Sequence, residues 1–254
     1  MKARILGSGT SSGVPRLGND WGACDPSEPR NRRTRASLLV DHGDVRVLVD
    51  TSPDMREQLL AADVDRVDAI IWTHDHADHC HGIDDVRQIY HATGRPLRGL
   101  ARADTLAAIS DRFAYVFAGR HGYPATVTGE VLPATLTIGG LTIRSVDQPH
   151  GNIVSTGLRF EAAGSSIGYA TDFHDLTSGM RELYTGLDVW IVDALRHAPH
   201  PTHPTVSAVL GWVDELRPGR TAFIHMDHTM DYTTEAARLP AGVEPGYDGQ
   251  EFTV

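Results

Sequence analysis

The six residues from His74 to His79 read His-Asp-His-Ala-Asp-His, and no other stretch constrains the chain so strongly. They directly follow an apolar run at residues 69–72, whose composition is that of a buried strand. Imidazole nitrogens and carboxylate oxygens are ligands that suit Zn²⁺, Fe or Mn²⁺. Strand side chains repeat every two residues, so His74 and His76 point to the same side and can face one ion. The chain must then turn before Asp78 and His79 can face a second ion. The segment predicts a metal centre with the ligands His74, His76, Asp78 and His79, and a histidine-rich surface loop is the alternative.

The composition favours a globular protein. The chain has 254 residues, 41% hydrophobic and 22% charged, so we expect a single domain over residues 1–254. No apolar run approaches the roughly 18 residues of a membrane span, so no membrane contact is expected. Only Cys24 and Cys80 are present, too few for a disulfide framework, which fits a cytoplasmic protein. The formal charge of −10 argues against tight, unspecific binding to nucleic acid.

Hydrophobic periodicity and turn residues divide the chain into strands, helices, strands and helices again. Ser52 is expected to cap the first helix, with Pro53 at its first position. This order predicts an α/β fold in which two sheets pack face to face with helices outside, a four-layer αββα sandwich. The predicted strands cover residues 3–6, 36–41, 45–50, 69–73, 135–138, 141–146, 154–161, 166–170, 189–192 and 221–224. The predicted helices cover residues 53–62, 83–92, 104–117, 176–184 and 206–216.

Three further polar residues, His150, Asp172 and His225, each come just past a predicted strand. Residues at successive strand ends converge on one edge of a sheet, where open α/β folds place their sites. Taken alone, each of the three would be a loop residue, a core residue or a helix cap. Taken with the segment at 74–79, they complete the ligand set that a metal centre needs.

The same pattern extends along nearly the whole chain in four sequence runs: Leu48–Asp54, His79–Asp85, Tyr169–Phe173 and Thr202–Thr205. With these runs the chain resembles the metallo-β-lactamase superfamily, whose motif HxHxDH is followed by a single His, an Asp and a final His. Within the superfamily it looks most like the phosphoribosyl cyclic phosphodiesterases of phosphonate degradation, and more distantly like ribonuclease Z.

The resemblance implies a dinuclear metal-dependent phosphodiesterase with the αββα sandwich. Two divalent ions, Zn²⁺ or Mn²⁺, would share a hydroxide that attacks a small, cyclic nucleotide- or ribose-type phosphodiester. The resemblance counts Asp78 among the catalytic residues as well as among the ligands. A homodimer is also implied, and only by the resemblance. By position, His74, His76 and His150 would hold the first ion, Asp78, His79 and His225 the second, and Asp172 both.

The departing alkoxide needs a proton, and His203 resembles the family's general-acid histidine. An imidazolium near neutral pH suits that task. His200 is the alternative acid, and a polar loop without catalytic work is the other possibility. Asp50 either orients a ligand imidazole or caps a strand end. The loop of residues 14–35, called the early loop below, contains four arginines: Arg30, Arg32, Arg33 and Arg35. They either reach a phosphate or form a run of ion-paired surface residues, and the second outcome is the expected one.

The chain departs from relatives that carry a second, structural zinc site made of three cysteines and a histidine. It keeps Cys24 and His228, but Asn19, Trp21 and Ala23 stand in the neighbourhood of the other cysteines. Thiolates normally dominate structural zinc sites, so we expect this one to be lost. The departure leaves His225 and His228 as alternative catalytic ligands, with His225 favoured because it directly follows a strand.

Three other functions remain open at this point. Ribonuclease Z-type processing of transfer RNA is disfavoured by the acidic balance and by the lack of a Gly- and Lys-rich arm. Hydrolysis of a thioester or lactone would use the same metals, because a fold does not determine a function. A metal-binding module without enzymatic activity is disfavoured by the presence of all seven ligands.

Overall fold

Two seven-stranded sheets form the centre of the protein, which a computed structural model describes over residues 1–254. In chain order the strands of the first sheet are β1 (Lys2–Gly7), β2 (Ser37–His42), β3 (Val45–Val49), β4 (Ala69–Ile71), β5 (Leu97–Ala101) and β6 (Val127–Val131). Those of the second are β7 (Thr135–Ile138), β8 (Leu141–His150), β9 (Ile153–Ala162), β10 (Ser165–Ala170), β11 (Val189–Asp193), β12 (Arg220–Ile224) and β13 (Val243–Pro245). The last strand, β14 (Glu251–Thr253), returns to the first sheet beside β1.

Both sheets are mixed, and parallel strands precede the metal-type residues except His150, which ends the antiparallel strand β8. The first sheet has the order β14-β1-β2-β3-β4-β5-β6 and is parallel from β3 to β6. The second has the order β13-β12-β11-β10-β9-β8-β7 and is parallel from β10 to β13. Parallel strands end at the same edge, so residues that follow them gather on one side of each sheet.

The helices cover the outer faces of the sheets. They are α1 (Met55–Ala61), α2 (Ala77–Cys80), α3 (Val86–Thr93), α4 (Ala103–Arg112), α5 (Ala114–Ala118), α6 (Ser178–Tyr184), α7 (Val206–Leu216) and α8 (Tyr232–Arg238). No helix has the length and apolar character that a membrane crossing requires.

Side-chain alternation along the strands produces the layers. In β4, Ala69 and Ile71 join the apolar cluster between the two sheets, whereas Ile70 and the following Trp72 join the cluster beneath α1, α3 and α4. A third cluster packs α6 and α7 on the outer face of the second sheet. Successive side chains of a strand point to opposite faces of the sheet. A strand that is packed on both faces, such as β4, therefore has apolar residues at successive positions. The predicted four-layer αββα sandwich is confirmed.

Most element boundaries agree with the sequence, and the differences have local causes. The helix predicted at 104–117 is broken at Phe113 into α4 and α5. Ser52 does not cap α1 as predicted, because its hydroxyl accepts from the backbone of Asp54, which is itself the cap residue. The sequence missed β5 and β6, which are short and contain glycine, a residue that weakens strand signals.

Gly99 in β5 is required by packing. A Cβ atom at this position would lie 2.6 Å from a ring carbon of Trp72 and 2.6 Å from a methyl of Val127. Trp72 is fully buried against the first sheet and its indole donates to Thr51 over 2.9 Å, so the ring cannot easily move aside. The glycine thus makes room for the largest side chain beneath the ligand segment.

We expect Gly99→Ala to lower the free energy of unfolding by about 1–3 kcal/mol, because the added methyl overpacks the site around Trp72. Urea denaturation measures this. The matched control is Gly211→Ala in α7, where no atom lies within 4 Å of the new Cβ; this variant should gain up to about 1 kcal/mol from helix propensity. An unchanged or raised stability for Gly99→Ala would contradict the packing argument.

Candidate metal centre

The predicted ligands meet where the strands of both sheets end. His74 lies three residues past β4, and the short helix α2 turns the chain so that Asp78 and His79 face inward. From the second sheet, His150 is the last residue of β8, and Asp172 and His225 follow β10 and β12. The predicted ligands form two groups whose ligand atoms lie within 4.8 Å of one another: His74, His76, His150 and Asp172; and Asp78, His79 and His225. A third group of the same kind joins Asp172 and His225 to His203.

Asp172 faces both groups with its two carboxylate oxygens. Its Oδ1 lies 3.8 Å from His74 Nε2 and 3.5 Å from His150 Nε2. Its Oδ2 lies 3.1 Å from His79 Nε2 and 3.4 Å from His225 Nε2. The carboxylate therefore lies between the two groups and offers each of them a separate oxygen.

The buried nitrogens of this cluster lack protein partners. His74, His79 and His225 are at most 1% exposed, and none of their Nε2 atoms makes a hydrogen bond within the protein. Leaving a buried polar atom unpaired costs about 1–3 kcal/mol, so such atoms require an explanation. Nitrogens that converge on a carboxylate in a buried pocket fit a divalent cation, and the cluster supports divalent metal binding.

Asp50 orients the imidazole of His79, a predicted ligand, in line with the first of its two predicted alternatives. It is fully buried, and its Oδ2 accepts from His79 Nδ1 over 2.8 Å. Thr73 donates to the same carboxylate from its backbone nitrogen over 2.7 Å and from its hydroxyl over 2.8 Å. The Thr73 hydroxyl also lies 3.0 Å from His74 Nδ1. One buried carboxylate thus sets the ring orientation of His79 and anchors the start of the ligand segment.

Three residues at strand ends adopt a left-handed backbone conformation that is rare outside glycine. They are Asp50 with φ of 64°, Asp172 with φ of 56° and His225 with φ of 56°. Such a conformation costs about 1–3 kcal/mol and persists only where the surroundings enforce it. At each of these positions the sharp turn leaves the strand direction and aims a polar side chain across the edge of the sheet.

His203 lies beside the cluster, and an aspartate that the sequence analysis missed orients it. Its Nδ1 lies 2.7 Å from Asp193 Oδ2, and its Nε2 lies 3.9 Å from Asp172 Oδ1. The ring stacks on His225 at a centroid distance of 4.7 Å. Asp193 is fully buried at the end of β11, and its position after an apolar strand is the signal that could have revealed it. His200 belongs to none of the ligand groups, and its ring lies 5.0 Å from that of His203.

The early loop contains no metal cluster around Cys24 and His228. His228 belongs to neither ligand group, which leaves His225 as the catalytic candidate. Arg33 is 2% exposed, and its guanidinium donates to Cys24 Sγ over 3.8 Å, to Asp227 O over 3.3 Å and to Met230 O over 2.6 Å. A buried guanidinium therefore joins the early loop to the segment after His225.

The prediction of a paired surface run was wrong for Arg33, and it holds for Arg30 and Arg35, which pair with Glu28 and Asp54. Arg32 lies over the ring of Trp21, 5.3 Å from its centroid. None of the four belongs to the ligand groups. The sequence pattern could not reveal the burial of Arg33 because two of its acceptors, the carbonyls of Asp227 and Met230, lie in the last thirty residues of the chain.

Burial and charge pull the histidine pKa values apart. Burial lowers the pKa of His74 well below its usual value, and it also lowers the pKa of His150. At His79 burial opposes the charged form, but the carboxylates of Asp172, Asp78 and Asp50 outweigh it and raise the pKa well above the usual value. The same balance, led by Asp172, raises the pKa of His225 to about 9. Protons and cations therefore compete for the second ligand group.

Comparison with known proteins agrees with this geometry. A family described as the beta-lactamase superfamily domain matches residues 45–226. A solved structure described as a new diphosphatase from the PhnP family is 35% identical to this chain and has a TM-score of 0.91. The match covers 100% of this chain and 97% of the solved chain. The human short form of tRNase Z, at 15% identity and a TM-score of 0.72, covers 100% and 99% and shares the fold.

A curated relative, the octanoyltransferase of Porphyromonas gingivalis, is 33% identical over 100% of this chain. The chain spans only 52% of that protein's length, so octanoyl transfer is a property of a longer protein.

The fold and the clustered ligands define the class as metal-dependent hydrolases. Within that class the chain belongs to the beta-lactamase superfamily, as the sequence motif predicted.

We expect metal uptake to release protons and to become tighter as the pH rises toward about 9, the raised pKa of His225. Below that value the metal-free imidazole carries a proton, whereas a cation binds only the neutral ring. Calorimetric titration with Zn²⁺ at pH 7 in buffers of different ionisation enthalpy measures the release. His225→Ala should release fewer protons, and heats that do not depend on the buffer would contradict the assignment.

Proposed function

We propose that the chain hydrolyses a small, cyclic nucleotide- or ribose-type phosphodiester at a centre of two divalent ions, Zn²⁺ or Mn²⁺. The single observation that carries the proposal is the position of the Asp172 carboxylate, whose two oxygens face two separate groups of ligand atoms. A carboxylate between two such groups is the arrangement expected of a bridging ligand in a dinuclear site.

The proposed ligands follow from these groups. His74, His76 and His150 would hold one ion, Asp78, His79 and His225 the other, and Asp172 both. His76 is exposed, so the first ion would face the substrate side of the centre. Neutral imidazole and carboxylate donors suit both proposed metals.

When bound, divalent ions supply Lewis-acid polarisation of a phosphoryl oxygen and lower the pKa of water. The protein's own residues do the rest. Asp50 keeps Nδ1 of His79 occupied, so that Nε2 is the nitrogen turned toward the cluster. Thr202 does the same for His150, because its carbonyl lies 3.0 Å from Nδ1 of that ring. These contacts set the ring orientations, so the nitrogen that becomes free when the ring loses a proton is the one directed at the cluster.

His203 would protonate the departing alkoxide from Nε2. Asp193 accepts from Nδ1, which leaves Nε2 as the atom that faces the cluster. The buried carboxylate of Asp193 holds the ring in this orientation. The segment before α7 carries both His203 and the helix cap Thr205, so the acid is held at the start of a regular helix.

Two properties support a small phosphorus substrate. The chain's formal charge of −10 disfavours a long polyanion such as transfer RNA. The relative at 35% identity is described as a diphosphatase, so phosphorus chemistry is more closely supported than thioester or lactone hydrolysis. Because the ligands come from both sheets, we also propose that residues 1–254 work as one domain.

We expect purified, metal-loaded protein to contain two ions per chain and to cleave bis-nitrophenyl phosphate and at least one cyclic phosphate. Metal analysis combined with assays on 2′,3′-, 3′,5′- and ribose 1,2-cyclic phosphates tests this. Chelation should abolish turnover and added metal should restore it. A loaded protein that cleaves a thioester but no phosphodiester, or one that retains and cuts transfer RNA at physiological salt, would overturn the proposal.

We expect His203→Ala to lower kcat by about 10²–10⁴-fold on substrates with alkyl leaving groups, which need a proton. The loss on nitrophenyl esters should be much smaller, because nitrophenolate departs unprotonated. The control is His197→Ala in the same loop; that side chain is exposed, lies 2.9 Å from Glu235, and belongs to neither ligand group. Equal losses on both kinds of substrate would remove His203 from the role of acid.

A further inference from the structure

Ser155 makes an unusual pair of hydrogen bonds beneath Asp172. Its hydroxyl lies 2.6 Å from the carbonyl oxygen of Asp172 and 3.2 Å from that of Thr171. Ser155 is fully buried in β9, the antiparallel neighbour of β10, whose end delivers Asp172. The hydroxyl thus contacts the carbonyl that precedes the left-handed residue and the carbonyl of that residue itself.

Ser37 repeats the arrangement in the other sheet. Its hydroxyl lies 2.9 Å from the carbonyl oxygen of Val49 and 3.1 Å from that of Asp50. Ser37 is 1% exposed and lies in β2, the antiparallel neighbour of β3, whose end delivers Asp50. Each sheet therefore places one buried serine under one left-handed aspartate, with φ of 56° at Asp172 and 64° at Asp50.

The serine under Asp172 is itself braced by buried side chains. Gln148 donates from Nε2 to Ser155 Oγ over 3.0 Å and to Thr171 O over 2.9 Å. The Tyr184 hydroxyl lies 2.9 Å from Gln148 Oε1, and it also donates to Tyr169 O over 3.1 Å. All of these groups are fully buried, so the network cannot be replaced by solvent without opening the second sheet.

The physical reason for the two serines lies in the backbone turn. A residue with positive φ leaves the strand ladder, so the carbonyls on either side lose their regular strand partners. Gln148 also donates to Thr171 O, so the carbonyls of Asp172 and Asp50 themselves depend most on the serines; if these carbonyls were unpaired in a dry environment, the turn would relax toward a common conformation. A hydroxyl from the neighbouring strand lies within hydrogen-bond distance of both carbonyls, and its single proton can reach them only while the aspartate stays left-handed.

We propose that Ser155 and Ser37 are positioning residues that hold Asp172 and Asp50 in the conformations needed by the metal centre. The inference rests on the proposed dinuclear function. Asp172 faces both ligand groups, whereas the only predicted ligand that Asp50 contacts directly is His79, and it reaches His74 through Thr73. Loss of the Ser155 hydroxyl should therefore weaken both ions, and loss of the Ser37 hydroxyl should weaken the ion held by His79 more than the other.

The test compares Ser155→Ala and Ser37→Ala by titrating metal-free protein with Co²⁺ and following its visible absorption. We expect Ser155→Ala to weaken both cobalt equivalents by about 10–100-fold, the usual effect of removing an outer partner of a metal ligand. Ser37→Ala should weaken one equivalent more strongly than the other, because Asp50 contacts His79 directly and His74 only through Thr73. A general loss of structure would not produce this difference between two equivalent substitutions.

The control is Ser166→Ala, at the opposite end of β10. Ser166 is also buried and hydrogen-bonded, with its hydroxyl 3.3 Å from Asp188 Oδ2, but it contacts no residue of the centre. This variant should bind cobalt as the wild type does. Urea denaturation of all three metal-free variants reports their stability separately from metal affinity.

If Ser155→Ala does not fold, Tyr184→Phe provides the second test, because it removes only the hydroxyl that braces Gln148. It should weaken both cobalt equivalents in the same direction by a smaller factor. Wild-type cobalt affinity in folded Ser155→Ala, or identical cobalt titrations for Ser155→Ala and Ser37→Ala, would overturn the inference. A wild-type protein that binds no cobalt would contradict the proposed function instead.

Discussion

A buried carboxylate shared between two groups of imidazoles is the interaction on which the rest of this structure depends. Asp172 is 2% exposed, and the histidines around it come from both sheets. Removing these groups from water is costly unless each finds a partner of opposite or complementary charge. The parallel halves of both sheets must therefore end at the same edge, and the relative placement of the two sheets is constrained by polar contacts as well as by the apolar layer between them.

Much of the fold and of the candidate centre could be predicted from sequence because its signals are local. Apolar runs indicate the strands, and the polar residue after each run, as at Asp172 and His225, indicates what the strand delivers. Asp193 carries the same signal, but its role depends on His203, ten residues further along the chain. Ser37 and Ser155 carry no signal of their own, since a serine inside a strand acquires its partner only through the pairing of neighbouring strands. The strands β5 and β6 were missed because close packing around Trp72 and glycine, rather than propensity, defines them.

The backbone turns and the side-chain hydrogen bonds around the cluster both fix the direction in which a polar side chain points. A left-handed residue at a strand end aims its side chain sharply, but it needs its neighbouring carbonyls satisfied. An imidazole aimed at a cation needs its second nitrogen occupied, which Asp50 and Thr202 provide for His79 and His150. In both cases a buried hydrogen bond some distance from the cation defines one geometry among several, and a preorganised geometry reduces the cost of binding.

The buried guanidinium of Arg33 has a consequence for how this chain can vary. Its acceptors lie on Cys24 and on the segment from Asp227 to Met230, so two surface regions that are far apart in sequence share one charged cross-link. Replacing either region alone with that of a homologue would leave the buried guanidinium of Arg33 without part of its hydrogen-bond acceptors. The early loop and the segment that follows β12 must therefore be inherited, grafted or redesigned together.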